Sequence, residues 1–146
     1  MTILSRLFLL AAFALAALPV AAQSPIGTWR TIDDETGEAK SHIEIYQTDN
    51  GRLEGKIVRV LRGDGPCDTC EGQYAGKPLA GVVILRGLKF DGDGEWDGGK
   101  ITDPQKDKTY NAEIKLDGPD RLEVRGYVGK GIFSIGRTQT WERVDS

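Results

Sequence analysis

Cys67 and Cys70, spaced as CxxC, are the residues of this sequence that could do redox chemistry or bind a metal through sulfur. A thioredoxin-like pair needs a helix N-terminus that lowers the thiol pKa, but this pair lies in a loop of glycine, proline and acidic residues. Two thiols without further cysteine or a nearby histidine do not complete a four-ligand zinc site. The pattern predicts a local structural disulfide, the usual state of such a pair outside the reducing cytosol.

An acidic stretch, DGDGEWDGG (91–99), begins with the residue spacing of a calcium-binding loop. The similarity ends at two positions, because Trp96 stands where such a loop needs glycine and Thr102 stands where it needs a bidentate glutamate. We therefore expect an acidic turn exposed to solvent. The sequence predicts neither a bound metal ion nor a cofactor.

Carboxylates and one tyrosine are the remaining candidates for catalysis. Asp33, Asp103 and Tyr110 could serve an enzyme that hydrolyses an ester or glycoside of the cell envelope. No nucleophile–base pair accompanies them, and the sequence has no GxSxG, HExxH or phosphate-binding loop. No residue is therefore assigned a catalytic role. The hydrolase stays an alternative, which loses its site if Asp33 and Asp103 lie more than about 10 Å apart.

The stretch SIGRTQTWERV near the C-terminus places three unlike side chains on one face. Alternate residues of a strand point the same way, so Arg137 and Gln139 should lie beside Trp141. Because the first and last strands of a closed barrel are neighbours, we expect Arg137 to stack on Trp29. Its remaining donors would then need Gln139 or Asp33 as partners, since an unpaired buried arginine is costly.

Two interpretations of this arginine are open. In the first, Arg137 plugs the barrel floor and binds no ligand; we prefer it because a satisfied buried polar cluster needs no ligand. In the second, Arg137, Gln139 and Tyr110 line a polar pocket that recognises an anion. The candidate ligand-binding residues are Trp29, Asp33, Tyr110, Arg137, Gln139 and Trp141.

The chain opens with a segment typical of a secretory signal peptide. One arginine precedes an apolar run over 7–18, and Val20 and Ala22 fit the small-residue rule for cleavage after Ala22. The run is shorter than the ~18 residues that a membrane-spanning helix needs. We expect residues 1–22 to be removed, leaving residues 23–146 as a single domain in the periplasm or outside the cell, with no membrane span.

Charge and length limit the classes of partner. Without the leader, the chain carries 18 basic and 22 acidic residues, and no basic stripe of the kind that binds nucleic acid occurs. The remaining length is enough for one domain with its own core. Nothing in the sequence specifies an oligomeric state.

Short runs with two-residue alternation, separated by turn residues, cover the rest of the chain. They lie at 26–32, 40–47, 52–61, 82–90, 100–103, 108–116, 121–129 and 134–144. About eight strands joined in sequence favour an all-β fold, an antiparallel up-and-down β-barrel of the lipocalin or streptavidin kind, which leaves no free sheet edge. A two-sheet sandwich is the alternative if the Gly/Pro-rich loop at 62–81 crosses between sheets.

The stretch LEVRGY leaves one orientation open. If Leu122 and Val124 face inward, alternation sends Arg125 outward. A bulge at Gly126 would reverse this arrangement. The sequence does not choose between them.

Several stretches resemble those of the exported bacterial proteins grouped as domain of unknown function 2147. They are GTWRTIDDETGEAKS (27–41), PCDTCEG (66–72), KPLAG (77–81), WDGGKITDP (96–104), LEVRGY (122–127) and GRTQTW (136–141). Asp107 departs from the pattern, which has glycine before KTY. The resemblance implies a single exported β domain and no established activity. The opening GxW and a late arginine near a tryptophan are also similar to the ends of lipocalin-type barrels.

Three functions are open at this point. We prefer non-catalytic binding of a small molecule or an envelope component through the barrel mouth, because an eight-stranded barrel can hold one small ligand. The hydrolase is the first alternative. The second is a structural or assembly factor of the envelope that uses the outer face of the sheet, which would require an exposed apolar patch of at least several hundred Å².

Overall fold

The fold is a closed barrel of eight antiparallel strands in sequential order, in which the last strand returns to the first. The computed structural model describes residues 23–63 and 65–144, so the leader at 1–22 lies outside the described residues. The strands are β1 Gly27–Ile32, β2 Ala39–Gln47, β3 Leu53–Val60, β4 Val83–Gly92, β5 Glu95–Asp103, β6 Lys108–Leu116, β7 Arg121–Val128 and β8 Ile135–Arg143. The up-and-down barrel is confirmed, and the two-sheet sandwich is excluded.

The two ends of the barrel are built from different connections. One end, the floor, carries the chain start at 23–26 and the turns at 48–52, 93–94 and 117–120. The other end, the mouth, carries the connections at 33–38, 61–82, 104–107 and 129–134. The longest connection therefore lies at the mouth.

Strand alternation fills the barrel from the floor upward with apolar side chains. The core consists of Trp29, Ile43, Ile45, Leu53, Ile57, Ile84, Leu85, Leu88, Trp96, Ala112, Ile114, Leu122, Val124 and Trp141. Trp29 and Trp141 are among the side chains that are fully buried. Burying one large apolar side chain contributes about 1.5–3 kcal/mol to folding stability. These residues therefore form the packed core that stabilises the barrel.

Strand β5 begins earlier than the sequence suggests. The stretch at 91–99 is expected to be a turn, but only two residues separate β4 from β5, and Trp96 enters the core. Gly99 is buried in β5, where a Cβ atom would lie 2.7 Å from the carbonyl oxygen of Arg86 and from Leu88 Cδ2. Gly99 therefore allows β4 and β5 to approach each other closely.

The 61–82 connection is fastened to its neighbours at the mouth. The disulfide between Cys67 and Cys70 is formed, as the CxxC spacing predicts. Beside it, the N–H of Glu71 donates to the carbonyl oxygen of Gln105 at 3.0 Å. Arg62 donates to side chains of the β1–β2 turn. These contacts join three mouth connections to one another.

Helical structure in the described residues is limited to two single 3₁₀ turns, Gly72–Tyr74 and Gly131–Phe133. Both lie in mouth connections. Within 23–63 and 65–144 there is no helix with the length and apolar character needed to cross a membrane.

Candidate functional site

The floor is closed by Arg143, the last residue of β8. Its guanidinium lies over the indole of Trp29, 4.3 Å from the ring centre. Its Nε donates to the carbonyl oxygen of Pro119 at 2.7 Å, and its Nη atoms donate to those of Ile26 at 3.2 Å and Ser24 at 2.8 Å. One side chain thus ties the chain start and the β6–β7 turn to the last strand.

The expected stack of Arg137 on Trp29 is wrong. In the β1–β8 ladder Trp29 pairs with Arg143, whereas Arg137 pairs with Gly126 of β7 at the mouth. Arg137 shares its face with Gln139 and with residue 141, as alternation predicts, but the ladder to β1 lies further along β8. The structural plug of the floor is therefore Arg143.

At the mouth, two side chains of β8 converge on one carboxylate. Arg137 Nη2 and Gln139 Nε2 both donate to Oδ2 of Asp34, the second at 2.9 Å. Gln139 Oε1 accepts a hydrogen bond from Trp141 Nε1 at 3.4 Å, which links this group to the core. Asp34, Arg137 and Gln139 form what we call the mouth cluster. The side chain of Arg137 is 65% exposed.

The mouth cluster lies where the barrel wall has little backbone pairing. In the described chain, the ladder between β1 and β8 consists of two residue pairs, both next to the floor. Closer to the mouth, Asp34 follows β1 while Arg137 and Gln139 belong to β8, so side chains join the two strands there. Because no ladder hydrogen bond has to break, these side chains can exchange partners at low cost.

Residues 27–143 match DUF2147, a family described as "Uncharacterized protein conserved in bacteria". The chain belongs to this family. No curated protein matches the chain.

Among the solved structures similar to this DUF2147 chain is one that matches it over most of its length. It is protein HP1028 from Helicobacter pylori, described as belonging to the lipocalin family. The two chains are 20% identical, the similarity covers 85% of each, and the TM-score is 0.70. At this identity the likeness shows the fold alone, and the barrel of the DUF2147 chain is lipocalin-like.

Asp33, a predicted ligand-binding residue, instead caps the β1–β2 turn of this DUF2147 chain. Its Oδ1 accepts the backbone N–H groups of Glu35 at 2.9 Å and Thr36 at 3.0 Å. The bond from Thr36, then that from Glu35, and the charges of Lys40 and Arg62 lower the pKa of Asp33 below its usual 3.8. Such a carboxylate stays ionised at neutral pH and is poorly suited to act as a general acid.

Asp103 and Tyr110 also lie at the mouth end. Oδ1 of Asp103 accepts the backbone N–H of Gln105 at 2.9 Å, so this carboxylate caps the β5–β6 turn. Tyr110 is half-buried beside Gly126, where an added Cβ would lie 3.7 Å from the Cβ of Tyr110. Because Gly126 pairs with Arg137, Tyr110 borders the mouth cluster. The two carboxylates considered for hydrolysis each serve their own turn.

A hydroxyl pair adds to the polar lining of the upper barrel. Thr31 Oγ1 and Ser41 Oγ are 2.8 Å apart, and Thr31 is buried. In the described residues, every buried side-chain nitrogen or oxygen has a hydrogen-bond partner. On the side of the barrel formed by β8, β1 and β2, the interior is therefore apolar toward the floor and polar toward the mouth.

Two important residues, Asp34 and Arg143, are missed by reasoning from sequence. Arg143 has a usable signal, because it is the next residue on the face that holds Gln139 and Trp141. The signal for Asp34 is weaker: when the first aspartate of DDETG caps the turn, the second is left to project from it. Neither signal specifies the partner.

Arg125, whose orientation the sequence leaves open, faces outward. Pairing of β7 with both neighbours continues without a bulge at Gly126. The guanidinium of Arg125 donates a hydrogen bond to Glu113 Oε1 at 3.0 Å and lies 4.7 Å from the ring centre of Tyr127. It borders an outer groove of about 210 Å³, and half of the residues that line this groove carry carboxylates. In the described residues, no group of acidic, histidine or cysteine side chains could hold a metal ion.

Proposed function

We propose that the mouth binds a small molecule carrying a carboxylate or a similar anion, with Arg137 as the principal contact. The observation that carries this proposal is the exposed guanidinium of Arg137, which bonds to a single carboxylate oxygen. A guanidinium has five donors, and its planar fork fits a carboxylate through two parallel hydrogen bonds. Arg137 therefore has donors left for a ligand.

Asp34 supports the proposal because it occupies the position that an anionic ligand would take. Both Arg137 and Gln139 donate to the same oxygen of this carboxylate. Exposed ion pairs contribute about 0–1 kcal/mol, so a ligand carboxylate can displace Asp34 at small cost. In this account Asp34 is an internal competitor that covers the site when no ligand is bound.

The packed floor limits the size of the ligand. Trp29 and Trp141 fill the lower barrel, so the ligand lies in the upper half, near Tyr110 and the hydroxyl pair of Thr31 and Ser41. Barrels of eight strands leave room for one small ligand at most. The expected ligand is a short molecule with one anionic group and a small apolar part. Binding is non-catalytic.

Titration calorimetry and thermal shift with hexanoate and benzoate test this proposal, with hexanol and hexylamine as neutral and cationic counterparts. We expect the carboxylates to bind and their counterparts not to bind. Arg137→Ala should weaken hexanoate binding at least tenfold, about 1.4 kcal/mol. Its free energy of unfolding should stay within about 0.5 kcal/mol of the wild type.

Arg59→Ala is the matched control, because Arg59 is an exposed arginine on the outer wall of β3. This variant should bind hexanoate as the wild type does. Equal binding of hexanol, or unchanged binding of hexanoate by Arg137→Ala, would contradict the proposal.

We also propose that residues 1–22 are a signal peptide and that residues 23–146 are the mature domain, located in the periplasm or outside the cell. The disulfide between Cys67 and Cys70 supports this location, because such bonds persist in oxidising compartments. The intact mass of the protein isolated from its own host tests it. A chain that begins at Gln23 is expected, and a chain that retains Met1 would contradict the proposal.

A further inference from the structure

The connection between β7 and β8, together with the strand ends beside it, carries a dense group of exposed apolar side chains. Ile132 is 93% exposed, Phe133 81% and Ile135 76%, and Val128 is about half exposed. We call these four residues the apolar tip. Single exposed apolar residues are ordinary on protein surfaces, but four within eight positions form a patch of the kind that marks an interaction site.

The backbone of the apolar tip is fixed by internal hydrogen bonds. The N–H of Phe133 donates to Lys130 O and that of Ser134 donates to Gly131 O, both at 3.1 Å. Gly129 has a φ of +85°, and a Cβ there would lie 2.7 Å from the carbonyl oxygen of Phe133. Only glycine fits this position, so the fold itself holds Ile132 outward.

The stretch of sequence that carries the apolar tip is basic, although the whole chain has a net charge of −3. From residue 124 to residue 141 the sequence contains three basic residues, Arg125, Lys130 and Arg137, and no acidic residue. Arg125 and Arg137 are each paired with a carboxylate. Lys130 forms no salt bridge with any residue that the structure describes, so its charge is available to an anionic partner.

We propose that the apolar tip inserts into the surface of an anionic lipid bilayer, with Ile132 and Phe133 below the headgroups and Lys130 beside the lipid phosphates. Apolar and aromatic side chains flanked by lysine bind membrane interfaces in this way. The tip exposes on the order of several hundred Å², the size of patch that marks an interaction site. A stable protein interface buries about 800 Å² per partner, so a second copy of the chain is the poorer fit.

The tip lies at the mouth end of the barrel, so insertion would turn the mouth toward the membrane. Binding by the tip does not depend on the anion site in the mouth. Vesicle binding and hexanoate binding can therefore succeed or fail separately.

Co-flotation of the protein, purified from its own host, with lipid vesicles tests the proposal. We expect binding to vesicles of phosphatidylglycerol and phosphatidylcholine, and weak binding to phosphatidylcholine alone. Replacing Ile132 and Phe133 together by serine should lower the partition coefficient at least tenfold. Lys130→Gln should lower it about fivefold, the change expected of one basic side chain near an anionic surface.

The matched control replaces Val58 and Phe90 by serine, which removes one aliphatic and one aromatic side chain that are exposed away from the tip. This control should bind vesicles as the wild type does. Phe133→Trp provides an independent readout, because brominated lipids should quench its fluorescence, whereas the three native tryptophans are buried in the core.

Results of three kinds would overturn the proposal. The first is no preference for anionic vesicles. The second is equal loss of vesicle binding in the tip variant and the control, or no quenching of Phe133→Trp. The third is a dimer, seen by light scattering, that the tip variant dissociates, since a second copy would then cover the tip.

Discussion

Arg143 and Arg137 belong to the same strand and the same inward face of β8, but their surroundings differ. The side chain of Arg143 is 24% exposed, stacks on Trp29 and donates to three backbone carbonyl groups. Arg137 is mostly exposed and meets one carboxylate, that of Asp34. The difference shows that the role of an arginine depends on which acceptors the neighbouring elements present.

At the floor, those acceptors are carbonyl oxygens of the backbone. The chain start and the β6–β7 turn bring their carbonyl oxygens to Arg143, and an ordinary ligand cannot replace them. At the mouth, the acceptor is a side chain on a turn, and a ligand carboxylate can replace it. The floor is therefore structural, and the mouth is suited to binding.

Removal of the floor arginine should have the largest effect. Arg143→Ala should lower the free energy of unfolding by about 2–4 kcal/mol, because three charge-assisted hydrogen bonds and a cation–π contact are lost. Arg143→Lys should not restore stability, since an ammonium lacks the planar fork. Equilibrium denaturation in urea measures both variants. A loss for Arg143→Ala no larger than that for Arg137→Ala would erase the distinction between floor and mouth.

Removal of the competing carboxylate should have a smaller effect, and this effect is a gain in ligand affinity. Asp34→Asn takes the negative charge away from Arg137, so hexanoate affinity should rise about fivefold, the equivalent of about 1 kcal/mol for an exposed ion pair. Titration calorimetry measures the change.

Asp33→Asn is the matched control for this substitution, because Asp33 is the adjacent carboxylate, caps the turn and pairs with Arg62 instead of Arg137. An asparagine can still accept the same backbone hydrogen bonds. Hexanoate affinity should stay near the wild-type value. A loss of affinity in Asp34→Asn would show that Asp34 holds Arg137 in place for the ligand and does not compete with it.

The smallest effect is expected for His42, on the outer wall, and concerns the pH dependence of folding stability. Partial burial, and then the charges of Arg59 and Arg30, lower the pKa of His42 from its usual 6.5. As pH falls below 6.5, the unfolded chain takes up a proton that the folded chain does not, so folding stability decreases. His42→Gln should remove part of this decrease between pH 7.5 and pH 5. Parallel stability profiles for the two proteins would contradict the assignment.

The barrel could be predicted from sequence because period-two alternation and turn residues are local signals. Seven of the eight strands lie where alternation places them. The early start of β5 is missed, because its glycine-rich beginning has the composition of a turn. Local patterns do not contain the register between the first and last strands. For that reason the predicted stack of Arg137 on Trp29 is wrong. Asp34 is missed because its position depends on a capped turn.

We propose that Arg137 is free to bind an anion, whereas Arg143 is held by its backbone partners. Side-chain NMR observes both arginines in one sample, through their Nε–Hε signals. Spectra of Arg137→Lys and Arg143→Lys assign the two signals. With hexanoate added, and sodium chloride as the matched titrant, the Arg137 signal should shift and saturate while the Arg143 signal stays in place. An unmoved Arg137 signal, or an equal shift of the Arg143 signal, would contradict the account.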